Sequence, residues 1–138
     1  MKCLGMDLGT KTLGLATSDK LGIISSPYKV LRYDDVNNLV DEVVALISEL
    51  KIDTLVLGYP KNMNNSLGEA VERTMNFKKL LEEKVDMSIN LVDERLSTVE
   101  AENYLINEDM RREDRKKIID AVAASIILDT YLRMNKGE

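Results

Sequence analysis

The chain has 138 residues, a length that suits one compact domain, and its 44% of apolar residues are enough to bury a core. It contains no histidine and a single cysteine, which excludes Ser-His-Asp and Cys-His catalysis, histidine-ligated metals, internal disulfides and cysteine-rich zinc sites. The net charge is −5, a sign that by itself argues against a nucleic-acid partner. Because histidine is absent and cysteine occurs only once, any chemistry must come from carboxylates, hydroxyls, amides, lysine or arginine.

The first quarter of the sequence predicts three strands in a meander. Apolar runs at residues 2–7 and 13–18 are separated by only a few turn residues, as in a β-hairpin. A third strand is expected over residues 23–30. Pro27 in this run indicates an edge strand or a bulge, because proline cannot donate a hydrogen bond to a neighbouring strand.

Helices and strands alternate in the rest of the sequence. Apolar residues three and four apart predict a helix after a cap at Asp34 or Asp35. Short apolar segments predict strands over 54–57 and 88–92, and helices are expected over 67–84, 99–106 and 113–134. Strands separated by helices form parallel crossovers. We therefore predict a single α/β domain over residues 1–138, with a five-stranded mixed sheet flanked by helices.

Three acidic residues fall where a charged side chain is unusual. Asp7 ends the first apolar run, Glu94 follows the strand expected over 88–92, and Asp120 lies in the apolar part of the last helix. The carboxyl ends of strands meet at one edge of an α/β sheet, so Asp7 and Glu94 are expected to lie together there. A helix that crosses this edge can add Asp120. Clustered carboxylates repel each other unless a cation lies between them, and Mg²⁺ or Mn²⁺ is the natural ion for oxygen ligands.

A cluster of this kind supports the hydrolysis of phosphodiester bonds. Two ions about 4 Å apart, bound together with substrate, would activate a water molecule and stabilise the leaving oxygen. Both acids also have an interpretation without a metal ion: Asp7 would form a turn, and Asp120 would pair with a lysine one helical turn away. Adjacent strand residues face opposite sides, so we expect Glu94 to be the ligand and Asp93 to lie behind it.

Several polar and basic residues near these acids are candidates for binding substrate. Lys11 and Thr12 follow Asp7 in the predicted hairpin turn, where they are placed to contact a phosphate, although an ordinary turn with a solvated lysine explains the same pattern. The other candidates are Asn62 and Ser66 of an asparagine-rich loop, Arg95, and Arg111, Arg112, Arg115 and Lys116 of a basic run. Charge runs are often only solvated surfaces, but this run precedes Asp120.

Four motifs, in order along the chain, resemble those of one known family. They are residues 5–16 (GMDLGTKTLGLA), 58–66 (GYPKNMNNS), 93–98 (DERLST) and 119–132 (IDAVAASIILDTYL). The sequence resembles the YqgF/RuvX family, whose members are described as pre-16S rRNA nucleases and Holliday junction resolvases. The resemblance implies a ribonuclease-H-like fold and active-site roles for Asp7, Glu94 and Asp120.

We therefore expect a nuclease dependent on Mg²⁺ or Mn²⁺ that acts on structured or single-stranded RNA, in 5′-end maturation of pre-16S rRNA. The alternatives are a Holliday junction resolvase acting on branched DNA, a phosphotransfer protein, and a non-catalytic nucleic-acid-binding adaptor. Phosphotransfer is considered because residues 7–10 resemble the phosphate loop of the actin and sugar-kinase superfamily. Junction cleavage normally needs a dimer, but no long apolar helix stripe marks one, so a monomer or weak homodimer is expected. A cytoplasmic location without membrane association is expected, because no targeting or spanning segment is visible.

Overall fold

Five strands form one mixed sheet, as the sequence predicts. The computed structural model describes residues 1–60, 68–93 and 112–136, with the backbone alone for 112–117 and 136. The elements are β1 (Cys3–Leu8), β2 (Thr12–Ser18), β3 (Ser25–Arg32), α1 (Val36–Glu49), β4 (Thr54–Tyr59), α2 (Glu69–Glu82), β5 (Ile89–Asp93) and α3 (Arg112–Lys136). The strand order is β3-β2-β1-β4-β5, antiparallel among the first three strands and parallel from β1 through β4 to β5. The helix expected over 99–106 lies outside the described residues.

The third strand, β3, begins at Ser25, two residues later than predicted. The reason is Asp19, whose Oδ1 accepts hydrogen bonds from the backbone N–H groups of Ile23 and Ile24 at 2.7 and 2.9 Å. These bonds hold the residues before β3 in a loop. β3 is an edge strand, and its ladder with β2 shifts register beside Pro27, which confirms the prediction for this proline.

The helices α1 and α2 cover one face of the sheet. Asp35 is the N-cap of α1, and its side chain accepts a hydrogen bond from the N–H of Asn37 at 2.9 Å, as the sequence predicts. The second helix begins at Glu69 after Gly68, two residues later than expected. Across the described parts of the chain, none of the helices has the length and hydropathy needed to cross a membrane.

The two faces of the sheet carry different side chains. Met6 and Leu8 of β1 lie in the large apolar core beneath α1 and α2. The opposite face presents shorter residues, among them Ala16 and Val56, to α3. Because successive strand side chains point to opposite faces, Asp7, between Met6 and Leu8, lies on the α3 face.

The last helix, α3, approaches the sheet so closely that two strand positions have no room for a side chain. A Cβ atom on Gly5 would lie 2.8 Å from Cβ of Leu128, and one on Gly14 would overlap the backbone carbonyl of Asp120. The absence of a side chain at these glycines therefore allows α3 to lie directly against the sheet. Asp120 is held over β2, beside the strand that carries Asp7.

Candidate active site

Asp7 lies near the carboxyl end of β1, where three parallel strands end together. It is the penultimate residue of β1 rather than its last, is half-buried, and pairs with Gly14 of β2. On the other side of β1, β4 continues to Tyr59, which pairs with Asp93 at the end of β5. Asp7 therefore occupies the edge at which α/β sheets bind ligands.

Asp120 reaches the same edge from α3. Thr12 Oγ1 donates a hydrogen bond to Asp120 Oδ2 at 2.6 Å, a length typical of a hydroxyl bound to a carboxylate. Thr12 and Gly14 share one face of β2 because they are two residues apart, and Gly14 lies under the Asp120 backbone. The Cα atoms of paired antiparallel residues are about 5 Å apart, so the pairing of Gly14 with Asp7 brings the two acids together.

The turn between β1 and β2 is held by Tyr33, which the sequence analysis did not identify. Tyr33 Oη donates to the carbonyl of Gly9 at 2.6 Å, and its backbone N–H donates to the carbonyl of Lys11 at 3.0 Å. Burial raises the pKa of the Tyr33 phenol, while the charge of Arg73 acts in the opposite direction. The only sequence signal for this role is an aromatic residue just after the third strand, which is not specific.

Lys11 is exposed at this turn and lines a groove of about 420 Å³. The other residues that line the groove are Arg32, Tyr33, Asp34, Asp35, Asn38 and Glu42. Acidic residues outnumber basic ones here, so the groove as a whole does not favour an anion. Lys11 instead places a single positive charge at the turn that joins β1 to β2.

Several of the predicted site residues lie outside the part of the chain that the structure describes. Glu94, the predicted third acid, directly follows the last described residue of β5. Also outside are Asn62, Ser66, Arg95 and Arg111, together with the side chains of Arg112, Arg115 and Lys116. The described site therefore consists of Asp7, Asp120, Thr12 and Lys11.

Asp93 ends β5 on the opposite side of the sheet from Asp7. Ile89 packs in the core beneath α1 and α2, whereas Val92 packs beneath α3. Strand alternation from these two residues places Asp93, which is exposed, on the same face as Ile89.

The donor set of Asp7 and Asp120 fits a hard divalent cation. Both carboxylates are half-buried on the α3 side of the sheet, and carboxylate oxygens are the ligands that Mg²⁺ and Mn²⁺ prefer. Thr12 is the one described residue that donates to the Asp120 side chain, and it uses Oδ2, which leaves Oδ1 for a ligand. Within residues 1–60, 68–93 and 118–135, no three acidic or cysteine side chains converge on one point, so a complete site needs a further ligand, and Glu94 is the candidate from the sequence.

The chain matches known proteins over nearly its whole length. The model of the RuvX family, described as Holliday junction resolvase, matches residues 1–134. The chain belongs to the RuvX family. Relatives named "Putative pre-16S rRNA nuclease" from Desulforamulus reducens and Geobacillus sp. (strain WCH70) are 42% and 43% identical to it. These matches cover 96% of this chain and 96% and 97% of the two relatives.

Solved structures share the RuvX fold at low sequence identity. Thermus thermophilus RuvC has a TM-score of 0.61 and 13% identity, covering 99% of this chain and 97% of RuvC. The Fowlpox virus resolvase in complex with Holliday junction DNA has a TM-score of 0.64 and 12% identity, covering 98% and 99%. The predicted ribonuclease-H-like fold is thus confirmed. As a RuvX family member the protein is a nuclease, a hydrolase of phosphodiester bonds, as predicted.

Proposed function

We propose that this RuvX protein is a divalent-metal-dependent nuclease that matures the 5′ end of pre-16S rRNA. One observation carries the proposal: Asp7 pairs with Gly14, and Gly14 lies directly beneath the backbone of Asp120. Two half-buried carboxylates from opposite ends of the chain therefore meet at one edge of the sheet. The substrate is taken from the names of the relatives that are 42% and 43% identical.

Asp7, Asp120 and Glu94 would together hold Mg²⁺ or Mn²⁺, with two ions present when substrate is bound. Such ions lower the pKa of water and stabilise negative charge on a leaving oxygen. The chain has no histidine and one cysteine, and that cysteine, Cys3, is buried at the start of β1. An all-oxygen donor set of this kind suits Mg²⁺ or Mn²⁺ better than zinc, which prefers nitrogen and sulfur.

The remaining candidate residues would bind and orient the nucleic acid. Lys11 is exposed on the turn after β1, where its ammonium group would neutralise a phosphate near Asp7. The sequence alone supports the same role for Asn62, Ser66, Arg95, Arg111, Arg112, Arg115 and Lys116. We propose that these residues bind structured or single-stranded rRNA.

A cleavage assay with three substrates tests this function. The purified protein is mixed with a 5′-extended 16S rRNA precursor, a four-way DNA junction or an unstructured RNA strand, each with Mg²⁺, Mn²⁺ or EDTA. We expect the precursor to be cut only with a divalent ion, and Asp7→Asn to abolish cutting. Asp129→Asn is the control for the loss of one negative charge, because Asp129 lies on α3 and pairs with Arg133 at 2.7 Å. Cutting that persists in EDTA or in Asp7→Asn contradicts the proposal.

A Holliday junction resolvase is the second candidate. It is favoured by the description of the family model and by the similarity to the Fowlpox virus resolvase in complex with Holliday junction DNA. A resolvase makes paired symmetric cuts and therefore acts as a dimer, whereas we propose a monomer or weak homodimer. Symmetric cutting of the DNA junction without cutting of the rRNA precursor would favour the resolvase. Tight RNA binding without any cleavage would instead indicate an adaptor.

A further inference from the structure

We propose that Thr12 is a positioning residue that sets the orientation of the Asp120 carboxylate for binding a divalent cation. The inference rests on the proposed metal-dependent function. It gives Thr12 a different role from the contact with substrate that the sequence indicates.

Thr12 is itself held firmly at the start of β2. Its carbonyl accepts a hydrogen bond from the N–H of Gly9 at 2.7 Å, and its backbone pairs with Arg32 of β3. As a β-branched residue it has restricted side-chain rotation. Its single hydroxyl proton is donated to Asp120 Oδ2 at 2.6 Å, so the same proton is not available to a phosphate.

The Thr12 hydroxyl fixes the orientation of the Asp120 carboxylate, which the position of the Asp120 backbone alone does not fix. Gly14 fixes the position of the Asp120 backbone, but the carboxylate can still rotate about its side-chain bonds. The hydrogen bond from Thr12 removes this freedom by holding Oδ2, and it leaves Oδ1 as the oxygen for the cation. Partners that orient a metal-binding carboxylate are a common feature of metal sites, and their loss typically weakens metal affinity about 10–100-fold.

Two variants, Thr12→Val and Thr12→Ser, separate positioning from substrate contact. Valine keeps the shape of threonine without the hydroxyl, whereas serine keeps the hydroxyl. Mn²⁺ binding to the protein without nucleic acid is measured by titration calorimetry and by electron paramagnetic resonance. We expect Thr12→Val to weaken Mn²⁺ binding by about tenfold or more and Thr12→Ser to bind like the wild type. With Mn²⁺ saturating, Thr12→Val should lower kcat and leave KM for RNA unchanged.

The opposite result overturns the inference: Thr12→Val binds Mn²⁺ like the wild type and raises KM for RNA instead. Asp120→Asn, measured alongside, separates this failure from failure of the proposed function. If Asp120→Asn loses Mn²⁺ binding and Thr12→Val keeps it, positioning by Thr12 is wrong and the metal site stands. If Asp120→Asn also binds Mn²⁺ normally, both are wrong. Should thermal unfolding show that Thr12→Val does not fold, Thr12→Ala is compared with Thr12→Ser by the same titration.

Discussion

The backbone carbonyl of Asp120 lies directly over Gly14, in the space that a Cβ atom would fill. Because Gly14 also pairs with Asp7, this one close approach sets the separation of the two acids. The spacing between α3 and the sheet is therefore part of the candidate site as well as part of the fold.

Gly14→Ala should disturb both stability and the site. The three atoms nearest to the added methyl group are backbone atoms of Asp120 and Ala121, so α3 must shift, and we expect a loss of about 1–3 kcal/mol in the free energy of unfolding. Mn²⁺ affinity should fall as well. Gly5→Ala is the matched control, because it displaces α3 at Leu128, two turns beyond Asp120, and should affect stability more than Mn²⁺ affinity. Urea unfolding and Mn²⁺ titration measure the two effects, and a Gly14→Ala variant with wild-type values for both contradicts this role.

Tyr33→Phe should change how stability depends on alkaline pH. At pH 8 the variant loses the hydrogen bond to Gly9, and we expect a loss of about 1 kcal/mol in the free energy of unfolding. Burial raises the pKa of the Tyr33 phenol above its ordinary value of 10.0, so the unfolded chain releases this proton first as the pH rises. The wild type therefore keeps this stability below about pH 10 and loses it as the pH rises through the folded-state pKa.

Since phenylalanine cannot ionise, the stability difference between the wild type and Tyr33→Phe should narrow at high pH. Urea unfolding at pH 8 and above pH 10 measures the difference. Tyr28→Phe, at an exposed position on β3, serves as the control. A constant difference between wild type and Tyr33→Phe at all pH values would show that the phenol does not titrate as its burial implies.

Asp19→Asn should change the acid dependence of stability without affecting catalysis. The N–H groups of Ile24 and Ile23 hold the pKa of the Asp19 carboxyl below its ordinary value of 3.8. This carboxylate therefore stabilises the fold above the unfolded-state pKa, and the stabilisation is lost as the pH falls through the folded-state pKa. Urea unfolding at a series of acidic pH values should show a shallower decline for Asp19→Asn. Identical acid profiles, or a changed cleavage rate at neutral pH, would be the contrary result.

Lys11→Ala should weaken nucleic-acid binding by removing one contact with a phosphate. Lys11 is exposed beside the site, and each lost phosphate contact lowers the slope of log affinity against log salt by about one. We expect a higher KM for RNA, a shallower salt dependence and an unchanged kcat. Lys20→Ala removes an equal charge from the loop before β3, at the other end of the sheet, and should behave like the wild type. Equal effects of the two variants would show that Lys11 acts only through net charge.

Local sequence patterns predict the sheet, and they place the ends of α2 and α3 to within two residues. Short apolar runs bounded by glycine or other turn residues report on burial within each strand, and the order of strands and helices limits how they connect. The predicted start of β3 is wrong because the side chain of Asp19 competes with the strand ladder for the N–H groups of Ile23 and Ile24. That competition depends on loop geometry, which strand periodicity does not contain.

Contacts within the candidate site depend on distant parts of the chain. Asp7 and Asp120 could be selected because charged residues are unusual in apolar segments, but the hydrogen bond between Thr12 and Asp120 joins residues 108 positions apart. The register of α3 on the sheet decides this contact, and no pattern around Thr12 reports it. For the same reason Tyr33 could not be connected with the turn at Gly9.

The most direct test of the metal-dependent site is the behaviour of Asp120→Asn. Its Mn²⁺ affinity and its rate of rRNA-precursor cleavage are measured beside the wild type and beside Asp129→Asn on the same helix. We predict that the Mn²⁺ affinity and the cleavage rate of Asp120→Asn both fall by more than the roughly 10–100-fold that is typical of residues outside the metal's own ligands. Asp129→Asn should match the wild type in both. An Asp120→Asn protein that binds Mn²⁺ and cleaves RNA like the wild type would contradict the account.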